Sequence, residues 1–172
     1  MPDGFNLALT PGPHNELQKA CVAGFLGRFA KDAEVLCLAD AAKKSGDEGT
    51  GRKVLQEEKL RDLNVPAFVQ GQKLVDIIAY SPSKNWLLLI EAVHSSNPLT
   101  PQRHALLQKA MAGAKAGRIY VTAFFGKRDF RKWAADISWE TEVWIADDPD
   151  HLIHFNGDRL MGPHEGEEAP ES

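Results

Sequence analysis

The chain has 172 residues, enough for one domain with a core that needs no staples. Hydrophobic residues make up 43% and charged residues 26%, which excludes a disordered chain. A net charge of −4 argues, taken as a total, against a nucleic-acid binder, because such proteins show a basic footprint.

Thr10-Pro-Gly-Pro13 reads as a rigid lead-in. From His14 to Phe29, the apolar residues Leu17, Cys21, Val22, Phe25, Leu26 and Phe29 recur every three or four positions, as on an amphipathic helix. Glu34–Ala39 is short and apolar and predicts a buried strand. Residues 43–53 hold three glycines and no apolar side chain, so a mobile loop is expected there. Val54–Leu63 predicts a short helix that stops before Pro66.

Leu74–Tyr80 and Trp86–Val93 predict two strands joined by a five-residue turn, hence a hairpin. Thr100-Pro101 opens a helix, with Thr as cap and Pro in the first turn, which runs to about Ala114. A strand at Arg118–Phe125, a helix at Lys127–Ile137 and a strand at Thr141–Ala146 follow, with one more strand at His151–Phe155. The polar stretch from Gly162 onward is expected to be disordered, its last residues 164–172 forming an acidic tail. The pattern is α/β: a central mixed sheet with helices on both faces.

The only cysteines, Cys21 and Cys37, lie in apolar runs and read as buried reduced thiols, which favours a cytoplasmic protein. The N-terminus has neither the positive region nor the apolar core of a signal peptide. The longest clean apolar run, Trp86–Ile90, is far too short to span a bilayer. His151 and His154 are three apart in a predicted strand and so face opposite sides, which argues against a zinc site.

Two acids occupy costly positions. Asp76 interrupts Leu-Val-Asp-Ile-Ile, and Glu91 follows Leu-Leu-Leu-Ile. Ionised acids are rarely buried unless paired or bound to metal. The hairpin sets them on neighbouring strands, where side chains approach within about 5 Å. Such a pair suits a hard divalent cation. The competing reading is two strand-end acids that point into solvent. Glu16, in the first turn of the first helix, is accounted for by the helix dipole alone.

Charge is unevenly spread. Residues 101–135 carry eight basic residues against Asp129 alone, whereas residues 136–172 carry Arg159 against eleven acids. A basic segment of this size can supply phosphate contacts, so the bulk charge does not exclude DNA.

Several motifs together resemble the catalytic domain of BsuBI/PstI-type restriction endonucleases. They are Pro11-Gly-Pro-His-Asn-Glu-Leu-Gln-Lys-Ala20, Lys73-Leu-Val-Asp-Ile-Ile78 and Asn85-Trp-Leu-Leu-Leu-Ile-Glu-Ala-Val93. Val121-Thr-Ala-Phe124, Phe130-Arg-Lys-Trp133 and Asp136-Ile-Ser-Trp-Glu-Thr-Glu-Val-Trp-Ile-Ala146 continue the match, and Pro149–Arg159 ends it. That family resembles the wider group of nucleases with a Pro-Asp…(Asp/Glu)-x-Lys signature.

The resemblance implies a restriction-endonuclease-like core over residues 1–163. It also implies a Mg²⁺-dependent DNA endonuclease of the type II kind, leaving 3′-hydroxyl and 5′-phosphate ends. Asp76 and Glu91 would be the signature acids, with metal ligands completed by the Ala92 backbone carbonyl and Glu16. Val93 stands where the signature has lysine, and Lys73 and Arg103 are candidates for its part. Arg103, Lys127, Arg128, Arg131 and Lys132 are candidate DNA contacts. Double-stranded DNA is the implied substrate, CTGCAG the site of named family members, and a homodimer the implied assembly. The winged-helix-like N-terminal domain of the family is missing from this sequence, which suggests a truncated or split enzyme with a separate recognition subunit. The reading from another class is a non-catalytic remnant or DNA-binding module that keeps the fold. A nuclease acting on single-stranded DNA or RNA is a third.

Overall fold

Near-continuous apolar runs in Ile77–Ser81 and Trp86–Ala92 give each strand two buried faces, and the sheet is built outward from this pair. The computed structural model describes residues 9–39, 52–66, 68–69 and 72–157. The strands are β1 (Glu34–Ala39), β2 (Arg52–Val54), β3 (Phe68–Val69), β4 (Gln72–Lys73), β5 (Ile77–Ser81), β6 (Trp86–Ala92), β7 (Gly117–Phe124), β8 (Thr141–Ile145) and β9 (Leu152–Phe155). Seven of them form one sheet in the order β2-β1-β5-β6-β7-β8-β9, and β3 pairs with β4 apart from it. The sheet is mixed: β6, β7 and β8 run parallel, and the remaining neighbours are antiparallel.

The helices are α1 (Pro13–Ala20), α2 (Gly27–Phe29), α3 (Glu57–Asp62), α4 (Pro101–Ala110) and α5 (Lys127–Trp133). A π-helical segment, Cys21–Leu26, joins α1 to α2, and a 3₁₀ turn, Ala134–Asp136, follows α5. One face of the sheet packs Ile77, Ala79, Leu88 and Ile90 against Phe25 and Leu26 of the first helical stretch. The other packs Ile78, Leu87 and Leu89 against Leu60 of α3 and Leu107 of α4. Neighbouring residues of β6 thus serve opposite layers, as the two-residue strand period requires. On the α4 side, Phe124, Val143 and Ile145 pack against Phe130 of α5. Both cysteines are buried, and burial pushes the Cys21 thiol well above its ordinary range.

The hairpin closes where expected. Its last turn residue, Asn85, sits at φ 51°, a region that Asn tolerates better than most residues. The Tyr80 hydroxyl donates to Asn85 Oδ1 at 3.0 Å and ties the turn to its strand. Thr100 caps α4, accepting from Arg103 N at 3.3 Å.

Several expectations shift. Arg52 and Lys53 are not loop but part of β2, which pairs with Cys37–Ala39. This is a charged edge strand, which apolar patterning cannot reveal. The remainder of the expected 43–53 loop lies outside the described residues, as does the tail. The helix expected over 54–63 is confined to Glu57–Asp62. β5 starts at Ile77 rather than Leu74, because the chain bends at Asp76. The small β3–β4 hairpin has no counterpart in the sequence reading.

Gly24, in the π-helical segment, lies against Trp144 of β8. A Cβ built there would stand 2.9 Å from Trp144 Cζ2. The indole is fully buried and donates to the Pro149 carbonyl at 3.0 Å, so it cannot easily retreat. Gly24→Ala is therefore expected to destabilise the fold by about 1–3 kcal/mol through overpacking. At roughly 2–4 °C per kcal/mol for a chain of this size, thermal melting should register it. An unchanged melting midpoint would show that this contact relaxes freely.

Candidate functional site

The β5–β6 register pairs Ile77 with Ile90. One step further, Asp76 comes opposite Glu91, at the end of the sheet where β6 finishes. Both acids are buried, Asp76 at 0% and Glu91 at 4% exposure, so neither is a strand-end acid in solvent. Burial of two carboxylates side by side is costly and demands compensation.

Asp76 is held by three elements, two of which reach its carboxylate. Its backbone carbonyl accepts from Ala39 N of β1 at 2.7 Å. Its Oδ2 accepts from Ala92 N of β6 at 2.9 Å. Its Oδ1 lies 3.2 Å from His14 Nε2, at the start of α1. Glu91 is met from the other layer by Arg103 of α4, whose Nη2 stands 3.6 Å from Glu91 Oε2. The same Nη2 donates to the Leu74 carbonyl, just before the Asp76 bend.

Topology explains this gathering. β6 and β7 are parallel and linked through α4, so α4 must begin beside the C-terminal end of β6. Arg103, in its first turn, is thereby carried to Glu91. α5 leaves the C-terminal end of β7 in the same way, and Ala123 near that end pairs with Ala92. Lys127, Arg128, Arg131 and Lys132 on α5 are all exposed. Lys127 pairs with Asp148 at 3.0 Å and Lys132 with Asp129 at 3.1 Å, both weak surface contacts. The Lys127 ammonium, with His151, holds the Asp148 carboxyl below its usual range.

The remaining candidates fall elsewhere. Glu16 is exposed and paired with Lys19 at 2.8 Å, while His14, two residues earlier, is the α1 side chain against Asp76. Val93 is buried beside Phe124, and its N–H donates to Ala123 O at 2.8 Å. Valine at this position is a core residue. The backbone of Lys73 belongs to β4, and its side chain lies outside the described residues. His14 went unnoticed in the sequence because first-turn spacing cannot say which side chain meets a strand 60 residues away. Its one signal is its place directly after Pro13, inside a recognisable motif.

Among the described residues, no group of three or more His, Cys, Asp and Glu side chains gathers as a metal cluster. The acid pair offers oxygen donors only. Two buried carboxylates side by side suit a hard divalent cation that prefers oxygen ligands. Also among the described residues, no helix is long and apolar enough to cross a membrane.

A mixed sheet whose central hairpin opposes two buried acids, with helices on both faces, belongs to the restriction-endonuclease class. The structure of SdaI restriction endonuclease matches it with a TM-score of 0.76 at 36% identity, over 91% of this chain and 47% of that one. More narrowly, the chain belongs to the BsuBI/PstI restriction endonuclease domain family, whose model matches residues 1–158. It is 42% identical to the type II restriction enzyme BsuBI of Bacillus subtilis, over 95% of this chain and 49% of that enzyme. It is 26% identical to the type II restriction enzyme AplI of Arthrospira platensis, over 91% of this chain and 48% of that enzyme. The chain thus spans about half the length of the curated relatives it matches.

Proposed function

We propose that this chain is a Mg²⁺-dependent DNA endonuclease domain of the type II restriction kind. The observation that carries the reading is the buried, opposed pair Asp76 and Glu91 at the sheet end where α4 and α5 begin. Asp76, Glu91 and the Ala92 carbonyl would hold the cation. Bound there, a divalent ion would offset phosphodiester charge, acidify a water and stabilise the leaving oxygen.

The chain's own residues supply the frame. Asp76 and Glu91 present negative charge in a site shielded from bulk water. Ala92 N–H orients the Asp76 carboxylate. Arg103 brings the positive charge that the signature assigns to lysine and sits against Glu91. Arg103 is therefore the residue proposed for the lysine's part. Lys127, Arg128, Arg131 and Lys132 lie on a helix leaving the same sheet end and would contact phosphates. Glu16 keeps Lys19 as its partner, and the reading does not depend on it. Cutting both strands would bring two copies of the chain together, since two sites must face two strands.

The test is direct. Supercoiled plasmid bearing CTGCAG sites should be nicked or linearised with Mg²⁺ and spared with EDTA. Cleavage that survives EDTA would remove the metal from the reading. DNA binding without cleavage, with Mg²⁺ or Mn²⁺, would favour a binding module that keeps the nuclease fold.

A further inference from the structure

We infer that His14 is the positioning residue of the first helix, fixing the Asp76 carboxylate for cation binding, and that Glu16 does not share this part. The inference rests on the reading of Asp76 and Glu91 as the cation site.

An ionised carboxylate only accepts hydrogen bonds. The nitrogen of His14 that faces Asp76 Oδ1 at 3.2 Å is therefore the protonated one, Nε2–H. Ala92 N–H holds the other oxygen at 2.9 Å. With a donor on each oxygen, rotation of the carboxylate about its Cβ–Cγ bond is arrested and the plane of the group is set.

His14 is itself well held. Its side chain is only 13% exposed. α1 starts at Pro13, whose ring fixes the backbone of the first turn. The next residue, Asn15, is buried and donates to the Thr10 carbonyl at 2.7 Å. One turn on, Gln18 Nε2 donates to the Ala39 carbonyl at 2.8 Å. The N–H of that same Ala39 donates to the Asp76 carbonyl. α1 and the Asp76 bend are thus joined twice, through Ala39 on the backbone side and through His14 on the carboxylate side. Glu16 points away, with its side chain 54% exposed. Residues that orient metal-binding carboxylates typically contribute about 10–100-fold to metal affinity.

The test is Mn²⁺ affinity of the protein alone, measured by electron paramagnetic resonance, for the parent chain and the variants His14→Ala, His14→Gln, His14→Leu, Glu16→Ala and Asp76→Asn. His14→Ala should weaken Mn²⁺ binding about 10–100-fold. His14→Gln, which keeps an N–H at the same reach, should return it close to the parent value, and Glu16→Ala should leave it there. His14→Leu, which keeps the bulk without the donor, should lose affinity with unchanged circular dichroism, and serves if the alanine variant does not fold. Parent affinity in both His14→Ala and His14→Leu, or a loss confined to Glu16→Ala, overturns the inference while a loss in Asp76→Asn keeps the site. Parent affinity in Asp76→Asn overturns the site and the inference together.

Discussion

Asp76→Asn is expected to slow DNA cleavage by about 10³-fold or more while the protein stays folded. The substitution keeps the shape and an acceptor oxygen for Ala92 N–H, removes the charge, and turns an amide NH₂ toward His14 Nε2, so the imidazole must present its acceptor nitrogen there. Metal-borne charge stabilisation is worth several kcal/mol, and each 1.36 kcal/mol is about tenfold in rate. Stability should move little or rise. A carboxylate at 0% exposure carries a desolvation cost that a neutral amide of equal size avoids. Single-turnover cleavage and a denaturant titration on the same preparation separate the two effects. Rate loss with an unchanged midpoint assigns Asp76 to chemistry; parent-like cleavage would remove it from the site. Glu91→Gln should behave alike, with one difference. Its carboxylate stands 3.6 Å from Arg103, so losing the charge also unsettles that guanidinium.

How much of this was legible follows from what each signal depends on. The hairpin was, because two short apolar runs and the five-residue turn between them are local signals. The acid pair was, because an acid inside an apolar run is conspicuous and antiparallel register can be counted. Burial decided between the two readings left open for it, and only packed helices on both faces could supply that. The cap of α4 was legible from Thr100-Pro101 alone. β2 was not, since Arg-Lys-Val on a sheet edge lacks the apolar face that marks inner strands. The π-helical segment was not, since the same apolar spacing serves an ordinary helix; Gly24 under Trp144 is a contact across 120 residues. His14 and Arg103 needed the topology. Each lies in a first turn, and only the crossing of α1 and α4 to one end of the sheet turns those turns toward the acids. Val93 shows the reverse: the signature predicts a cation, and the core claims the position for an aliphatic side chain.

Arg103→Ala is expected to have the second-largest effect, about 10²–10³-fold on kcat, the loss typical of one preorganised hydrogen-bond donor. Arg103 holds two groups at once, the Leu74 carbonyl and the Glu91 carboxylate, with its side chain 25% exposed. Leu74 leads into the Asp76 bend, so one guanidinium couples the backbone before one acid to the side chain of the other. Alanine releases both. Stability should fall by about 1–3 kcal/mol, the range for a buried acceptor that loses its donor, with partial exposure favouring the lower end. Arg103→Lys tests what the fork contributes. Its ammonium is a point charge that cannot hold two acceptors in a fixed plane, so the variant should keep most of the stability and recover only part of the rate. The two kinetic parameters assign the role. A fall in kcat at unchanged KM means that Arg103 acts on charge developing in the transition state. A rise in KM at unchanged kcat makes it a phosphate-binding residue instead. Parent values for both in Arg103→Ala would pass the lysine's part to Lys73, the remaining candidate.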